Sequence, residues 1–310
     1  MHCGENMKML NTKAFAKINL SIDILGTLPG GYHEISTVMQ QISLHDEICV
    51  KWAPEEPPAK GGGIRIEIGS NKGFLPTDDR NIAYKAIKLV AESYGISEKY
   101  GQGRLRVDIK KQIPVGAGLG GGSADAAAVL RALSKLWELS IGDSEMRELG
   151  ARLGADVAFC IMGQTGRTCA LAEGRGEKLA TVKGVRLWAV LSKPPISVST
   201  AEAYKGFDRI ENKDFVRPDT KELILAMENA DYPLMKKNMI NVLENFTLKE
   251  YPDAMYTKNK MISETSPIAA VMSGSGPTII GLYRDEKSAE DACRKMASLN
   301  RETYLAKTMI

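Results

Sequence analysis

The chain has 310 residues, 44% of them hydrophobic, enough to bury a sizeable core and long enough for two domains. Lys and Arg number 41 against 38 Asp and Glu, and a net charge of +3 is too small to argue for a nucleic-acid or membrane partner. The five cysteines, Cys3, Cys49, Cys160, Cys169 and Cys293, are scattered without the paired Cys-x-x-Cys spacing of a zinc site, so they read as reduced thiols of a cytoplasmic protein.

The first ten residues hold no signal-peptide core, and no later run approaches the ~20 apolar residues that span a bilayer. Met7 stands as an alternative start to Met1. Residues 14–25 alternate apolar and polar types as a strand does and close on turn formers at Gly26, Pro29, Gly30 and Gly31. Residues 47–52 and 64–68 predict two more strands, joined by a mobile Pro/Gly-rich connection at 53–63. Ile82, Ala86, Leu89 and Val90 recur at helical spacing behind Asp78 and Asp79 as candidate caps.

A strand is predicted at 105–109, and then a helix whose apolar face carries Ala126, Val129, Leu130, Leu133, Leu136 and Trp137. Asp143 is a candidate cap of the next helix, which Gly154 ends. Strands follow at 185–191, 269–272, 278–283 and 303–308, with helices near 201–207, 221–227 and 287–299. That order suits an α+β sandwich with a mainly antiparallel sheet.

The run Pro114-Val115-Gly116-Ala117-Gly118-Leu119-Gly120-Gly121-Gly122-Ser123 places five glycines just ahead of an amphipathic helix. Without Cβ atoms the backbone can approach a ligand and turn successive N–H groups inward, and the helix adds the positive end of its dipole. The run is a candidate phosphate site, with a flexible linker as the plain alternative. No Gly-Lys-Ser/Thr follows, so it is not a Walker loop, and no acidic residue stands where a dinucleotide fold needs one.

Continued through Ala124-Asp125-Ala126-Ala127, the run resembles the phosphate loop of the GHMP kinases, which include galactokinase, homoserine kinase and mevalonate kinase. Ala16-Lys17-Ile18-Asn19-Leu20 near the start and Met272-Ser273-Gly274-Ser275-Gly276-Pro277 near the end agree in order and spacing. The resemblance implies a ribosomal S5 domain 2-like N-terminal domain over 1–167, a ferredoxin-like C-terminal domain over 168–310, and an active site in the cleft between them. Gly31-Tyr32-His33-Glu34, Leu153-Gly154-Ala155-Asp156-Val157 and the stretch from Lys193 to Tyr204 are similar to the branch that phosphorylates a cytidine diphosphate conjugate of methylerythritol. ATP and Mg2+ are then the expected cofactors. Other GHMP kinases and a non-catalytic ligand sensor are the alternatives, and monomer and homodimer stay open.

The resemblance assigns roles residue by residue. Asp156 is the expected base for the substrate hydroxyl, although an Asp after Gly154-Ala155 also suits a helix cap. Lys17, a cation inside an apolar strand, is expected beside that carboxylate, with a snorkelling edge lysine as the alternative. Asn19 shares its side of the strand. Asn81, Lys111, Pro114, Gly116, Ala117, Gly118, Leu119, Gly120, Gly121, Gly122 and Ser123 are expected at ATP, Ser123 also at magnesium. Tyr32, His33 and Tyr204 are expected around the cytosine, and Gly274, Ser275 and Gly276 near the substrate diphosphate. One departure stands out: Asn241-Val242-Leu243-Glu244 where the family often has Asn-Asp-Leu-Glu.

Overall fold

The computed structural model describes residues 7–54, 63–211 and 213–310; Met1, Cys3 and most of the 53–63 connection lie outside them, and so do the expectations about start and loop. The described residues gather into two compact units, each built from several stretches of chain. The first takes residues up to Phe15, His45–Ile113 and Gly121–Met162; the second takes Ala16–Leu44, Pro114–Gly120 and Gly163–Ile310.

Two long strands, β1 (Lys8–Leu28) and β2 (Tyr32–Pro54), pair with each other and contribute residues to both units. The turn between them falls on residues 29–31, as expected, but Gly26 stays in the strand. The first unit adds β3 (Ile64–Ser70), α1 (Ile82–Ser93), α2 (Ile96–Tyr100), β4 (Gly103–Lys110), α3 (Gly121–Leu136), α4 (Asp143–Leu153) and α5 (Ala155–Gly163). There β4 runs antiparallel to β2 and parallel to β3.

The register places Ile48 opposite Ile109, Val50 opposite Val107 and Trp52 opposite Leu105, all buried. The alternate pairs Glu47–Lys110, Cys49–Asp108 and Lys51–Arg106 share the other face, as a period of two requires. Gly103 is glycine because a Cβ there would stand 2.2 Å from the Trp52 ring, which meets Trp137 edge-on at 5.7 Å. In α3 the small side chains of Ala124, Ala126, Ala127, Ala128 and Ala132 are buried, so this helix comes close to its neighbours, α1 among them.

The second unit adds β5 (Cys169–Gly174), β6 (Lys178–Thr181), β7 (Trp188–Lys193), α6 (Thr200–Asp208), α7 (Thr220–Asn229), α8 (Tyr232–Asn238), α9 (Glu244–Glu250), α10 (Pro252–Thr265), β8 (Ala269–Met272), β9 (Ile279–Tyr283), α11 (Glu286–Leu299) and β10 (Glu302–Lys307). β5 pairs antiparallel with the first part of β2 and with β6. β10, β7, β9 and β8 form an antiparallel sheet in that order. Its core includes Val190, Ile279, Met261, Ala292 and Met296, with Val242 fully buried among them. The family's usual Asp is thus replaced by a residue that suits this core.

Several expectations need correction. Asn81, not Asp78 or Asp79, caps α1: its Oδ1 accepts from the Ala83 N–H at 2.9 Å. Asp143 does not cap α4; it is the helix's first residue and pairs with Arg131 at 2.8 Å, behind Gly142. Ser123 is the third residue of α3. Among the described residues no helix is long and apolar enough to cross a membrane.

Candidate active site

The second unit joins the N-terminal strand to the glycine loop. Lys17 and Asn19 lie two apart on β1, share a face, and are each 4% exposed. The Lys17 ammonium donates to Asn19 Oδ1 at 2.7 Å, and Asn19 Nδ2 donates to Thr37 Oγ1 at 2.8 Å. Lys17 is therefore oriented inside the protein and is no snorkelling edge lysine. Its backbone N–H donates to the Leu119 carbonyl at 3.0 Å, so β1 holds the loop directly.

Within the loop, Gly116, Gly118 and Gly120 all have positive φ while Ala117 and Leu119 between them are buried. That alternation keeps apolar side chains inside, and alternating positive φ is the kind of backbone from which anion-binding nests of N–H groups are made. At Gly120 a Cβ would lie 2.9 Å from Lys17 Cγ, so the loop closes over the lysine stem only without a side chain. The turn that carries Gly274, Ser275 and Gly276 lies against the loop, since a Cβ on Gly118 would be 2.0 Å from the Ser273 carbonyl oxygen.

The expected base-binding residues also come together in this unit. His33 packs on Tyr204 with ring centroids 4.8 Å apart and pairs through Nε2 with Asp208 Oδ1 at 2.8 Å. Tyr32 is 53% exposed, and the Arg175 guanidinium sits 4.2 Å from its ring centroid. Ser275 Oγ is 3.2 Å from Thr200 Oγ1 at the start of α6. Sequence reasoning missed Asp208 and Arg175, whose only signal is that they follow Tyr204 and Gly174 in otherwise ordinary polar stretches.

The first unit carries the other expected groups. The loop runs on in sequence into α3, whose first turn holds Gly121, Gly122 and the part-exposed Ser123. Asp156 is the second residue of α5, part-exposed, immediately ahead of the buried Val157 to Phe159 run. Asn81 has its side chain committed to the cap and to the Pro76 carbonyl.

Lys111 is buried, not a surface residue. Its ammonium binds Asp46 and, at 2.8 Å, Asp125 of α3. Asp46 also accepts from the backbone N–H groups of Gln112 and Ile113. Burial raises the Asp125 carboxyl well above the usual carboxylate range, although Lys111 pulls it down. Burial works against the Lys111 ammonium too, but the two carboxylates outweigh it and raise its pKa. The cluster fixes the second turn of α3 to the end of β4.

Comparison with known proteins shows the family. The family described as GHMP kinases N terminal domain matches residues 81–164, and GHMP kinases C terminal matches residues 213–302. The 4-diphosphocytidyl-2-C-methyl-D-erythritol kinase of Alkaliphilus metalliredigens is 40% identical over 303 residues, 97% of each chain. That of Geobacillus kaustophilus is 45% identical over 278 residues, 89% of each chain. The crystal structure of a 4-(cytidine 5'-diphospho)-2C-methyl-D-erythritol kinase superposes with a TM-score of 0.77 at 27% identity, covering 97% of this chain and 100% of that one. A homoserine kinase from Cytophaga hutchinsonii, at 18% identity and a TM-score of 0.68, shares the fold. With near-complete coverage on both sides, this chain belongs to the GHMP kinases, in the 4-diphosphocytidyl-2-C-methyl-D-erythritol kinase family.

Proposed function

We propose that this chain transfers the γ-phosphoryl group of ATP to the 2-hydroxyl of 4-diphosphocytidyl-2-C-methyl-D-erythritol, giving the 2-phosphate and ADP, in the non-mevalonate route to isoprenoids. The observation that carries the reading is 40% identity over 97% of both chains to a kinase of that name. The geometry supports it, because Lys17, Asn19 and the glycine loop are built into one hydrogen-bonded structure.

In this reading the loop from Pro114 to Ser123 holds the triphosphate, and Asp156 accepts the proton of the attacking hydroxyl. The oxygen–phosphorus bond forms as the bond to the bridging β-phosphate oxygen breaks. Lys17, held by Asn19, supplies positive charge. Asn81 and Lys111 act by fixing the ends of α1 and β4 rather than through free side chains. Tyr32, His33 and Tyr204 take the cytosine, and Gly274, Ser275 and Gly276 the diphosphate.

Magnesium fits as a companion of the nucleotide. Among the described residues no group of three or more His, Cys, Asp or Glu is arranged to hold a metal on its own, and the Ser123 hydroxyl in the first turn of α3 is the group that would reach it. Bound with ATP, the ion neutralises charge on the phosphates. None of the four described cysteines is in a disulfide, which supports a cytoplasmic setting.

The test is phosphoryl transfer from labelled ATP to a panel of acceptors, with the product identified by mass. Turnover of the cytidine conjugate is expected. Turnover of homoserine or mevalonate without it would sink the proposal.

A further inference from the structure

Ser273, at the start of the late glycine turn, is fully buried, and its single hydroxyl serves two other segments of the second unit. Oγ donates to the Gly118 carbonyl at 3.0 Å and accepts from the Asn19 N–H at 3.3 Å. The contact is backbone on backbone: a Cβ on Gly274 would meet the Gly118 carbonyl oxygen at 3.0 Å and Cα at 3.2 Å. Anything that moves the turn therefore moves the loop and the Lys17–Asn19 strand with it.

Behind the turn stands Asn241, 1% exposed. Its Nδ2 donates to the carbonyls of Met272 and Gly274, at 2.8 and 2.7 Å, the residues on either side of Ser273. Its Oδ1 accepts from the Leu243 N–H at 3.0 Å, so both ends of the amide are fixed. The backbone on either side of it is tied to β1, because the Ile22 N–H donates to the Ile240 carbonyl and the Val242 N–H to that of Ile22. Glu244 completes the hold by accepting from the Met272 N–H at 2.7 Å while paired with Lys258.

We infer that Asn241 and Ser273 are positioning residues for phosphoryl transfer: Asn241 fixes the late glycine turn, and Ser273 carries that fix to the phosphate loop and to Lys17 and Asn19. The inference rests on the kinase reading above. An amide suits position 241 because two carbonyl oxygens must be met by two donors from one small, buried side chain. Asp would set a carboxylate against both oxygens, and Ala would leave both buried carbonyls unmet.

The test compares Asn241→Ala, Asn241→Ser, Ser273→Ala and the Asn241→Ala/Ser273→Ala double variant with the native chain. Readouts are the Kd for ATP by calorimetry and steady-state kcat and KM for both substrates. Asn241→Ala is expected to lower kcat/KM roughly 10–100-fold and to weaken ATP binding several-fold. Asn241→Ser keeps one donor and recovers part of the loss. Because both residues act along one path, the double variant should be little worse than the worse single one. Loss of folded protein with native Kd and KM values would overturn the inference, as would losses that multiply in the double variant. Should Asn241→Ala fail to fold by circular dichroism, Asn241→Ser is judged by the same readouts. If the native chain does not phosphorylate the cytidine conjugate the kinase reading fails by itself, and the ATP Kd values still decide whether Asn241 acts on the loop.

Discussion

Replacing Gly118 with alanine puts a methyl group where backbone already is. The new Cβ would stand 2.0 Å from the Ser273 carbonyl oxygen and 3.0 Å from its carbonyl carbon, against contact distances of about 3.5 Å. Neither atom belongs to a side chain that can swing aside, so loop and turn must separate. Gly118 also has φ +73°, a left-handed conformation that costs an alanine about 1–2 kcal/mol. Forcing the contact adds about 1–3 kcal/mol, for a total of roughly 2–5 kcal/mol. Gly166 is the control, with φ +87° and nothing within 4 Å of a Cβ, so Gly166→Ala carries the conformational cost alone. Urea unfolding measures the stability of both variants and a coupled ADP assay their KM for ATP. Gly118→Ala should lose clearly more stability than Gly166→Ala and raise KM for ATP about tenfold or more. Equal stability losses, or a native ATP KM in Gly118→Ala, would refute the claim that the turn abuts the loop.

Asp156→Asn should lower kcat by on the order of 10²–10⁴ while KM for ATP stays near native, and unchanged turnover in a rapid-quench assay would remove the base role. Lys111→Met leaves the carboxyl groups of Asp46 and Asp125 buried without their shared cation, so urea unfolding should register a loss of about 3–5 kcal/mol. A loss below about 1 kcal/mol would mean that the cluster is dispensable. Burial pushes the Cys169 thiol up to about 12, so at pH 8 the native chain holds it as unreactive thiol. Iodoacetamide should label it only after urea is added, and labelling of the native chain at the rate of the unfolded one would contradict this. The same burial raises Cys169 and Tyr283 to about 12, so the unfolded chain loses those protons first and stability falls as pH rises from about 9 toward 12.

How much of the fold was legible depended on how regular its burial is. β4 alternates buried residues with exposed or part-exposed ones, and α11 carries its apolar residues on one stripe; both stood close to where periodicity put them. The first part of β2 was invisible because both kinds of residue are buried there: Ser36, Thr37, Gln40 and Gln41 lie inside beside Val38, Met39 and Ile42, so no alternation shows. Gln40 makes up for this by donating to the distant Val185 and Met309 carbonyls, partners that no local window can show. α10 was missed for the opposite reason, since its buried face is only Ala254, Thr257 and Met261 in a run rich in Lys and Thr.

The site was legible where chemistry demands a local motif and illegible where it demands support from afar. The glycine alternation at Gly116, Gly118 and Gly120 must be written contiguously, because converging N–H groups come from successive residues. What holds that loop does not have to be near it in sequence. Ser273 is 155 residues from the Gly118 carbonyl it meets, and Asn241 is 31 from Met272. Asn241 looked like part of a string that had lost its Asp, and attention fell on the substituted position. Val242 is buried in the core, where an apolar side chain is the better tenant, while the neighbouring amide carries the polar work. A change at one position of a motif therefore tests only that position, and the retained Asn241 and Glu244 are the residues whose loss should disturb the turn.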